Sequence, residues 1–332
     1  MHRFYRSAVA ILLIFTYLLS SGGCRQQRSD ALDTPAQAHD NNEPMQLADT
    51  PEDSIAPQRE ALTFLYFSDT QPDPAIGDFT EFGELIKRAI TNSGGIDLVI
   101  FGGDTVNDGG DESEWQKFSL ASSALLDGLI TAAVAGNHDN YPLLSEQFDY
   151  PREAPAGQGG GYFYSLYLAP VYFIMLDSNI MGAANQSDID WLESELLSDA
   201  AQRSAWIIVI MHHPMWPVTD NPKDSQRAET MRENFLPLLE ANNAALILCG
   251  HQHVYSRTFP MLGNSIADNG QGIVQVMAAS GDKATYTMND SDFVAAGAPA
   301  SNYLLLEADS ESLSITAFDG EGKVVDQYTI ER

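Results

Sequence analysis

The chain has 332 residues and a formal net charge of −29, from 46 acidic and 17 basic residues. The acidic residues are spread along it and no basic stripe is left to displace counterions from phosphates, which argues against duplex DNA or RNA as a partner. Its length suffices for one compact domain of about 270 residues with a large core once the N-terminal segments are set aside.

Met1 to Cys24 reads as a targeting signal: His2, Arg3 and Arg6 precede an apolar run from Ala8 to Leu19, and Ser21-Gly22-Gly23 leads into Cys24. The run is too short to span a bilayer comfortably. It resembles a bacterial lipoprotein signal, although Ser21 stands where such signals usually carry Leu. The resemblance implies lipidation of Cys24, a membrane partner through that N-terminal anchor, and an extracytoplasmic address: periplasm, outer membrane or cell surface. Ordinary secretion is the alternative. From Arg25 to about Glu60 the chain is rich in Asp, Gln, Pro, Thr and Asn and poor in apolar residues, the composition of a disordered tether. Residues 61–332 remain as a single folded domain. Cys249 ends an apolar run and is expected to be a buried free thiol.

From Leu62 onward, apolar runs alternate with helical patterns, as in an α/β fold. Leu62 to Phe67, Leu98 to Phe101, Ile130 to Val134, Trp206 to Met211 and Ala245 to Leu248 are continuous rather than alternating in apolar character, so they read as buried strands. Helices are expected at Phe79 to Thr91, Glu112 to Leu126, Ser187 to Leu197 and Arg227 to Ala241. Tyr162 to Leu168 and Val171 to Leu176 form a hairpin pattern around Ala169-Pro170. The tail, Gly272 to Ala278, Asn302 to Glu307, Ser312 to Phe318 and Val324 to Ile330, carries the strands of a sheet that packs onto the first. The expected architecture is a four-layer α-β-β-α sandwich: two mixed sheets face to face, with helices outside.

Each of the five buried strands runs into residues suited to binding metal. They are Ser68-Asp69-Thr70-Gln71, Gly102-Gly103-Asp104, Gly136-Asn137-His138-Asp139, His212-His213-Pro214 and Gly250-His251-Gln252-His253. Any one alone is weak, because an Asp after a strand is usually a turn residue or a helix cap. Five together point to one crevice at the carboxyl ends of the strands. His251 and His253 can aim at one region, and Gly250 permits a sharp backbone turn.

These motifs, in this order, resemble those of the calcineurin-like metallophosphoesterases, the family that includes purple acid phosphatases and many phosphodiesterases. Tyr162 to Ser178 and the Trp191-Leu192 helix also look like the family, so the resemblance covers most of Leu62 to Ile330. It implies two divalent ions (Mn, Fe, Zn or Mg) with a bridging hydroxide that attacks phosphorus. The first ion falls to Asp69, Gln71, Asp104 and His253, the second to Asp104, Asn137, His212 and His251. Asp104 bridges them, since a carboxylate has two oxygens. Two ions about 3.5 to 4 Å apart can stabilise both nucleophile and phosphoryl oxygens. Two divalent charges, less two carboxylates and a hydroxide, leave the centre positive enough to hold an anionic ester inside an acidic protein. His138 resembles the family histidine that protonates the leaving oxygen, with Asp139 placed to orient it.

Asn107 is expected to support the ligands by hydrogen bonding. His213 can face substrate or serve as a structural histidine, and Arg257 can touch phosphate or pack its loop. Gln71 departs from the family, which mostly carries histidine there; a carbonyl oxygen is harder and weaker than imidazole and favours Mn, Mg or Fe over Zn. Asn107 stands where purple acid phosphatases carry the tyrosine of their chromophore, so no purple colour is expected.

The resemblance implies a phosphatase acting on a phosphorylated small molecule or other ester. The alternatives are a phosphodiesterase acting on nucleotides or lipid head groups, and a lipoprotein that binds metal or phosphate without turnover. Specificity is expected to reside in the loops Pro151 to Gly161 and Asp282 to Ser301.

Overall fold

The computed structural model describes residues 60–150, 163–183, 185–267 and 271–332. The expected signal with Cys24, nearly all of the tether and the Pro151 to Gly161 loop lie outside the described residues. Among the described residues, no helix is long and apolar enough to cross a membrane.

The first half runs β1 (Leu62–Phe67), α1 (Thr80–Ser93), β2 (Leu98–Phe101), α2 (Glu112–Leu126), β3 (Ile130–Ala133), α3 (Tyr141–Gln147), β4 (Tyr164–Leu168), β5 (Val171–Leu176) and α4 (Ser178–Met181). Then come α5 (Gln186–Leu196), α6 (Asp199–Arg203), β6 (Trp206–Met211), α7 (Pro222–Asn234), α8 (Leu236–Ala241) and β7 (Ala244–Cys249). The last part is β8 (Tyr255–Thr258), β9 (Met261–Leu262), β10 (Ser265–Ile266), β11 (Val274–Met277), β12 (Val294–Ala298), β13 (Asn302–Ala308), β14 (Ser312–Asp319) and β15 (Val324–Glu331).

Two mixed sheets hold these strands, one ordered β15-β14-β13-β1-β2-β3 and the other β12-β8-β11-β7-β6-β5-β4. Alternate residues of each buried strand go to opposite faces. Phe64, Tyr66, Leu98 and Ile100 point inward and pack with Phe173, Ile208, Leu246 and Val274 of the other sheet. Phe64 and Phe173 meet edge to face across the gap at 5.2 Å. Leu65, Phe67, Val99 and Phe101 point outward to meet Phe82, Ile86 and Phe118 from α1 and α2. On the far side Ile174, Val209 and Ile247 meet Leu192, Met231 and Leu239 from α5, α7 and α8. The layers are α-β-β-α, and apolar burial on both faces is why these strands read as unbroken apolar runs.

Strand neighbours differ from expectation in one respect. The tail does not build the second sheet: β13 pairs antiparallel with β1 and leads β14 and β15 into the first sheet, while β11 lies parallel to β7 in the second. The five ligand-bearing strands therefore divide, with β1, β2 and β3 in one sheet and β6 and β7 in the other. A strand that is apolar on both faces does not encode which neighbour it takes.

The helix expected over Arg227 to Ala241 is two helices. Asn221 caps the first through the Lys223 N–H, and the chain breaks at Phe235, where Pro237 lies in the first turn of the second. Cys249 is fully buried as a free thiol.

Candidate metal centre

Backbone bonds tie neighbouring strand ends within each sheet, and a side-chain bond crosses between the sheets. The Gly250 N–H donates to His212 O at 2.9 Å, and the Asp69 N–H to Gly103 O at 2.9 Å. His212 Nδ1 lies 2.9 Å from Gly102 O in the other sheet. Because a carbonyl only accepts, that nitrogen carries a proton, and Nε2 is the atom left to face the crevice.

Five described non-glycine residues have positive φ, and four of them are here: Asp69 (48°), Asp104 (51°), His251 (74°) and His253 (47°). Strain of this kind, costing about 1–3 kcal/mol per residue, collects at functional sites. The tight turn expected at Gly250 is thus taken by His251 and His253 themselves. Glycine is required at position 250 for close approach: a Cβ there would lie 1.9 Å from Ser68 Oγ and 2.1 Å from Asp69 Oδ2.

Asp69, Asp104 and His212 bring one ligand atom each within 4.8 Å of one another, and all three are buried. His212 Nε2 lies 3.4 Å from Asp104 Oδ2, and His253 Nε2 lies 3.4 Å from Asp69 Oδ1. Asp69 Oδ2 is satisfied by Ser68 Oγ at 2.7 Å and the His251 N–H at 2.8 Å, while Asp104 Oδ1 accepts the His138 N–H at 2.9 Å. Asp69 Oδ1 and His212 Nε2 remain buried with no hydrogen-bond partner. Unpaired buried polar atoms are costly, and a carboxylate oxygen and an imidazole nitrogen are donors that fit a divalent cation.

The electrostatics agree. Burial, together with the Asp104 charge, pushes the Asp69 carboxyl up to about 7. Burial opposes a proton on His212, but Asp104 and then Asp69 outweigh it and push the imidazole up to about 9. Such a centre holds protons when it holds no metal, and cation binding displaces them. Burial first, then the nearby Lys283 ammonium, holds His253 down to about 4, so that imidazole is neutral.

Of the other expected ligands, His251 sits beside His212, their ring centroids 5.1 Å apart, with its Nε2 3.0 Å from Asp224 Oδ1. That bond fixes the tautomer and leaves Nδ1 for an ion. Asp224, in the first turn of α7, also accepts from Gln252 Nε2 at 2.9 Å. An acidic residue at a helix start looks ordinary in sequence, so nothing there marked Asp224 as a partner of His251. Asn137 is exposed in the loop after β3.

Gln71 stands differently from expectation. Its amide donates to Val106 O at 3.0 Å, and its carbonyl oxygen, the atom meant for metal, accepts from Lys283 Nζ at 2.8 Å. No motif contains Lys283. Nearby, the Tyr286 ring stacks on His253 with centroids 4.7 Å apart.

Asp139 does not orient His138. Its two oxygens accept the N–H groups of Thr105 and Gly136, each at 2.9 Å, stitching the loop after β2 to the loop after β3. His138 Nδ1 instead lies 2.6 Å from Asn107 O. Nδ1 is therefore the donor and Nε2 is left over. Asn107 does support the site, through its backbone carbonyl, and is itself anchored by Asn107 Nδ2 to Pro72 O at 3.0 Å.

His213 is buried, with Nδ1 2.9 Å from Ser178 Oγ and Nε2 2.8 Å from an Arg227 guanidinium nitrogen. Burial first, then His212 and His251, holds it well below the usual histidine range, the behaviour of a structural histidine. Its ring nevertheless has a nitrogen within 4.8 Å of those of His212 and His251. Arg257 is engaged away from the crevice: its Nε donates to Asp326 at 2.6 Å and its guanidinium lies over Tyr328.

Residues 62–255 match the family model described as calcineurin-like phosphoesterase. The chain is 28% identical over 156 residues to purple acid phosphatase 18 of Arabidopsis thaliana, covering 44% of this chain and 35% of that protein. It is 27% identical over 194 residues to a probable cyclic nucleotide phosphodiesterase of Psychrobacter arcticus, covering 56% of this chain and 66% of that protein. The fold is similar to that of purple acid phosphatase PPD1 from yellow lupin seeds, with a TM-score of 0.72 at 18% identity over 83% of this chain and 54% of that one. The chain thus spans only part of the length of each. A match through more than half the chain, on a sandwich whose strand ends gather buried carboxylates and imidazoles, makes the chain a member of the calcineurin-like phosphoesterase family.

Proposed function

We propose that the chain is a phosphatase working with two divalent ions, one held among Asp69, Asp104 and His253 and the other among Asp104, Asn137, His212 and His251. The observation that carries this reading is the pair of buried atoms that make no hydrogen bond, Asp69 Oδ1 and His212 Nε2, beside the Asp104 carboxylate. When bound, such ions supply positive charge for the phosphoryl oxygens and lower the pKa of the attacking water.

The protein's own groups do the rest. His212 and His251 are held in fixed ring orientations by Gly102 O and Asp224, so His212 Nε2, once its proton is displaced, and His251 Nδ1 can bind an ion without the rings turning. His138, tied through Nδ1 to Asn107 O, keeps Nε2 for the leaving oxygen and acts as general acid in the form that carries a proton on both ring nitrogens, giving the Nε2 proton and returning to the neutral imidazole. A crevice walled by carboxylates in a chain of charge −29 repels a phosphate ester until cations are present.

A panel of chromogenic monoesters and diesters with added Mn2+, assayed with and without chelator, tests the reading. Monoester turnover that chelation abolishes is expected; turnover that survives a chelator overturns it. The second reading is a phosphodiesterase. Its support is that the probable cyclic nucleotide phosphodiesterase aligns with 56% of this chain, more than the 44% aligned with purple acid phosphatase 18. Faster diester turnover selects it, and metal uptake without any turnover selects a binding lipoprotein.

The place of work we propose is outside the cytoplasm, with a lipid on Cys24 as the anchor; Met1 to Cys24 is the support. Cys24→Ser is expected to release the protein from the membrane fraction, and a variant that stays bound rejects the anchor.

A further inference from the structure

Lys283 lies in the loop that follows β11, and the start of that loop is pinned to the segment after β1. The Ser280 N–H donates to Ser68 O at 2.7 Å, the Gly281 N–H to Asp69 O at 2.9 Å, and Asp282 Oδ1 accepts the Asp73 N–H at 2.6 Å. A Cβ on Gly281 would lie 2.1 Å from Gln71 O, so the two segments are in direct contact. These bonds fix the three residues before Lys283, whose ammonium reaches the Gln71 carbonyl oxygen at 2.8 Å.

The orientation of the Gln71 amide is not arbitrary. Its other end donates to Val106 O at 3.0 Å. Flipping the amide would set carbonyl against carbonyl at Val106 and an NH2 group against the ammonium at Lys283, losing both bonds. The oxygen at position 71 therefore faces Lys283, and an ammonium and a divalent ion compete for it.

We propose that Lys283 is a tethered cation at the first metal position, which makes the two sites unequal. It takes the Gln71 oxygen, leaves the first ion only Asp69, Asp104 and His253 from the protein, and repels that ion by its charge. The second site, with Asp104, Asn137, His212 and His251, fills at lower metal concentration. The inference rests on the two-ion reading above. It accounts for the glutamine where the family mostly has histidine: a carbonyl oxygen can hold an ammonium that a metal-binding imidazole could not accept beside it.

The test is Mn2+ uptake by the metal-stripped full-length protein, followed by equilibrium dialysis for the wild type, Lys283→Met and Lys283→Gln. The wild type is expected to fill in two steps at least tenfold apart, a gap of about 1.4 kcal/mol. Each variant is expected to tighten the weaker step at least tenfold and leave the tighter one unchanged. Lys283→Gln keeps a hydrogen-bond donor for Gln71 without the charge, and it carries the test if Lys283→Met does not fold. Two equal steps in the wild type, or a weaker step that neither variant shifts, overturns the role of Lys283 while the metal centre stands. A wild type that takes up no Mn2+ and hydrolyses no ester overturns the centre together with it.

Discussion

Gly250→Ala separates this account of the crevice from a simpler one in which that glycine only makes a turn. Gly250 is not among the glycines with positive φ, so its backbone conformation admits alanine. The obstacle is contact: the added Cβ falls 1.9 Å from Ser68 Oγ and 2.1 Å from Asp69 Oδ2. Neither neighbour can yield freely, because the two are bonded to each other at 2.7 Å and Asp69 Oδ2 also holds the His251 N–H at 2.8 Å. Overpacking costs about 1–3 kcal/mol. Relieving it by moving Asp69 breaks at least one hydrogen bond to a carboxylate, about 1.5–3 kcal/mol more. A loss near 4 kcal/mol leaves a protein of ordinary stability, about 5–15 kcal/mol, folded but weakened. Urea unfolding of the metal-free protein should show that loss, and Mn2+ titration should show affinity down by about 10–100-fold, as when a group supporting a metal ligand is removed. Parent stability and parent affinity in Gly250→Ala would refute the contact argument.

Three further outcomes follow from the same geometry. With folded pKa values of about 9 for His212 and about 7 for Asp69, the metal-free centre carries protons that an ion must displace. Both values are raised, so metal affinity falls as pH drops below 9 and falls more steeply below 7; calorimetry in buffers of different ionisation enthalpy should count about one proton released at pH 8 and about two at pH 6. Asp139→Asn keeps one acceptor oxygen for two N–H groups, so it should lose about 1–3 kcal/mol in urea unfolding while leaving the pH–rate profile in place; a displaced profile would restore Asp139 as the partner of His138. His138→Asn should retain metal and lower kcat by about 10²–10⁴-fold, and metal loss in that variant would make His138 a ligand instead.

Much of the fold was legible because burial on two faces leaves unbroken apolar runs. Leu62 to Phe67, Leu98 to Phe101 and Trp206 to Met211 have the bounds read from the sequence. Sheet membership was not legible, since pairing of β1 with β13 joins residues far apart in the chain and either face of each strand is apolar. β8 and β12 carry no strand pattern, because Tyr255–Thr258 is half polar and Val294–Ala298 is mostly alanine and glycine. At the site, Asp69, Asp104, His212, His251 and His253 stood out because each follows a strand. Lys283 and Asp224 did not, because their importance comes from what they touch: a lone lysine in a loop and an acid in the first turn of a polar helix have no signature. Asp139 is the complementary case. Adjacency in sequence to His138 suggested contact, whereas consecutive residues in a turn point to different neighbours, here the N–H groups of Thr105 and Gly136.

The central claim is that Asp104 is shared between two cations. Crystals of the protein grown with saturating Mn2+ and measured at an energy where manganese scatters anomalously would locate the ions without reference to any assay. Two peaks are predicted, one on the Asp69 and His253 side of Asp104 and one on the His212 and His251 side. A single peak that leaves Asp104 uncontacted, or ions bound only at other carboxylates, would contradict the account.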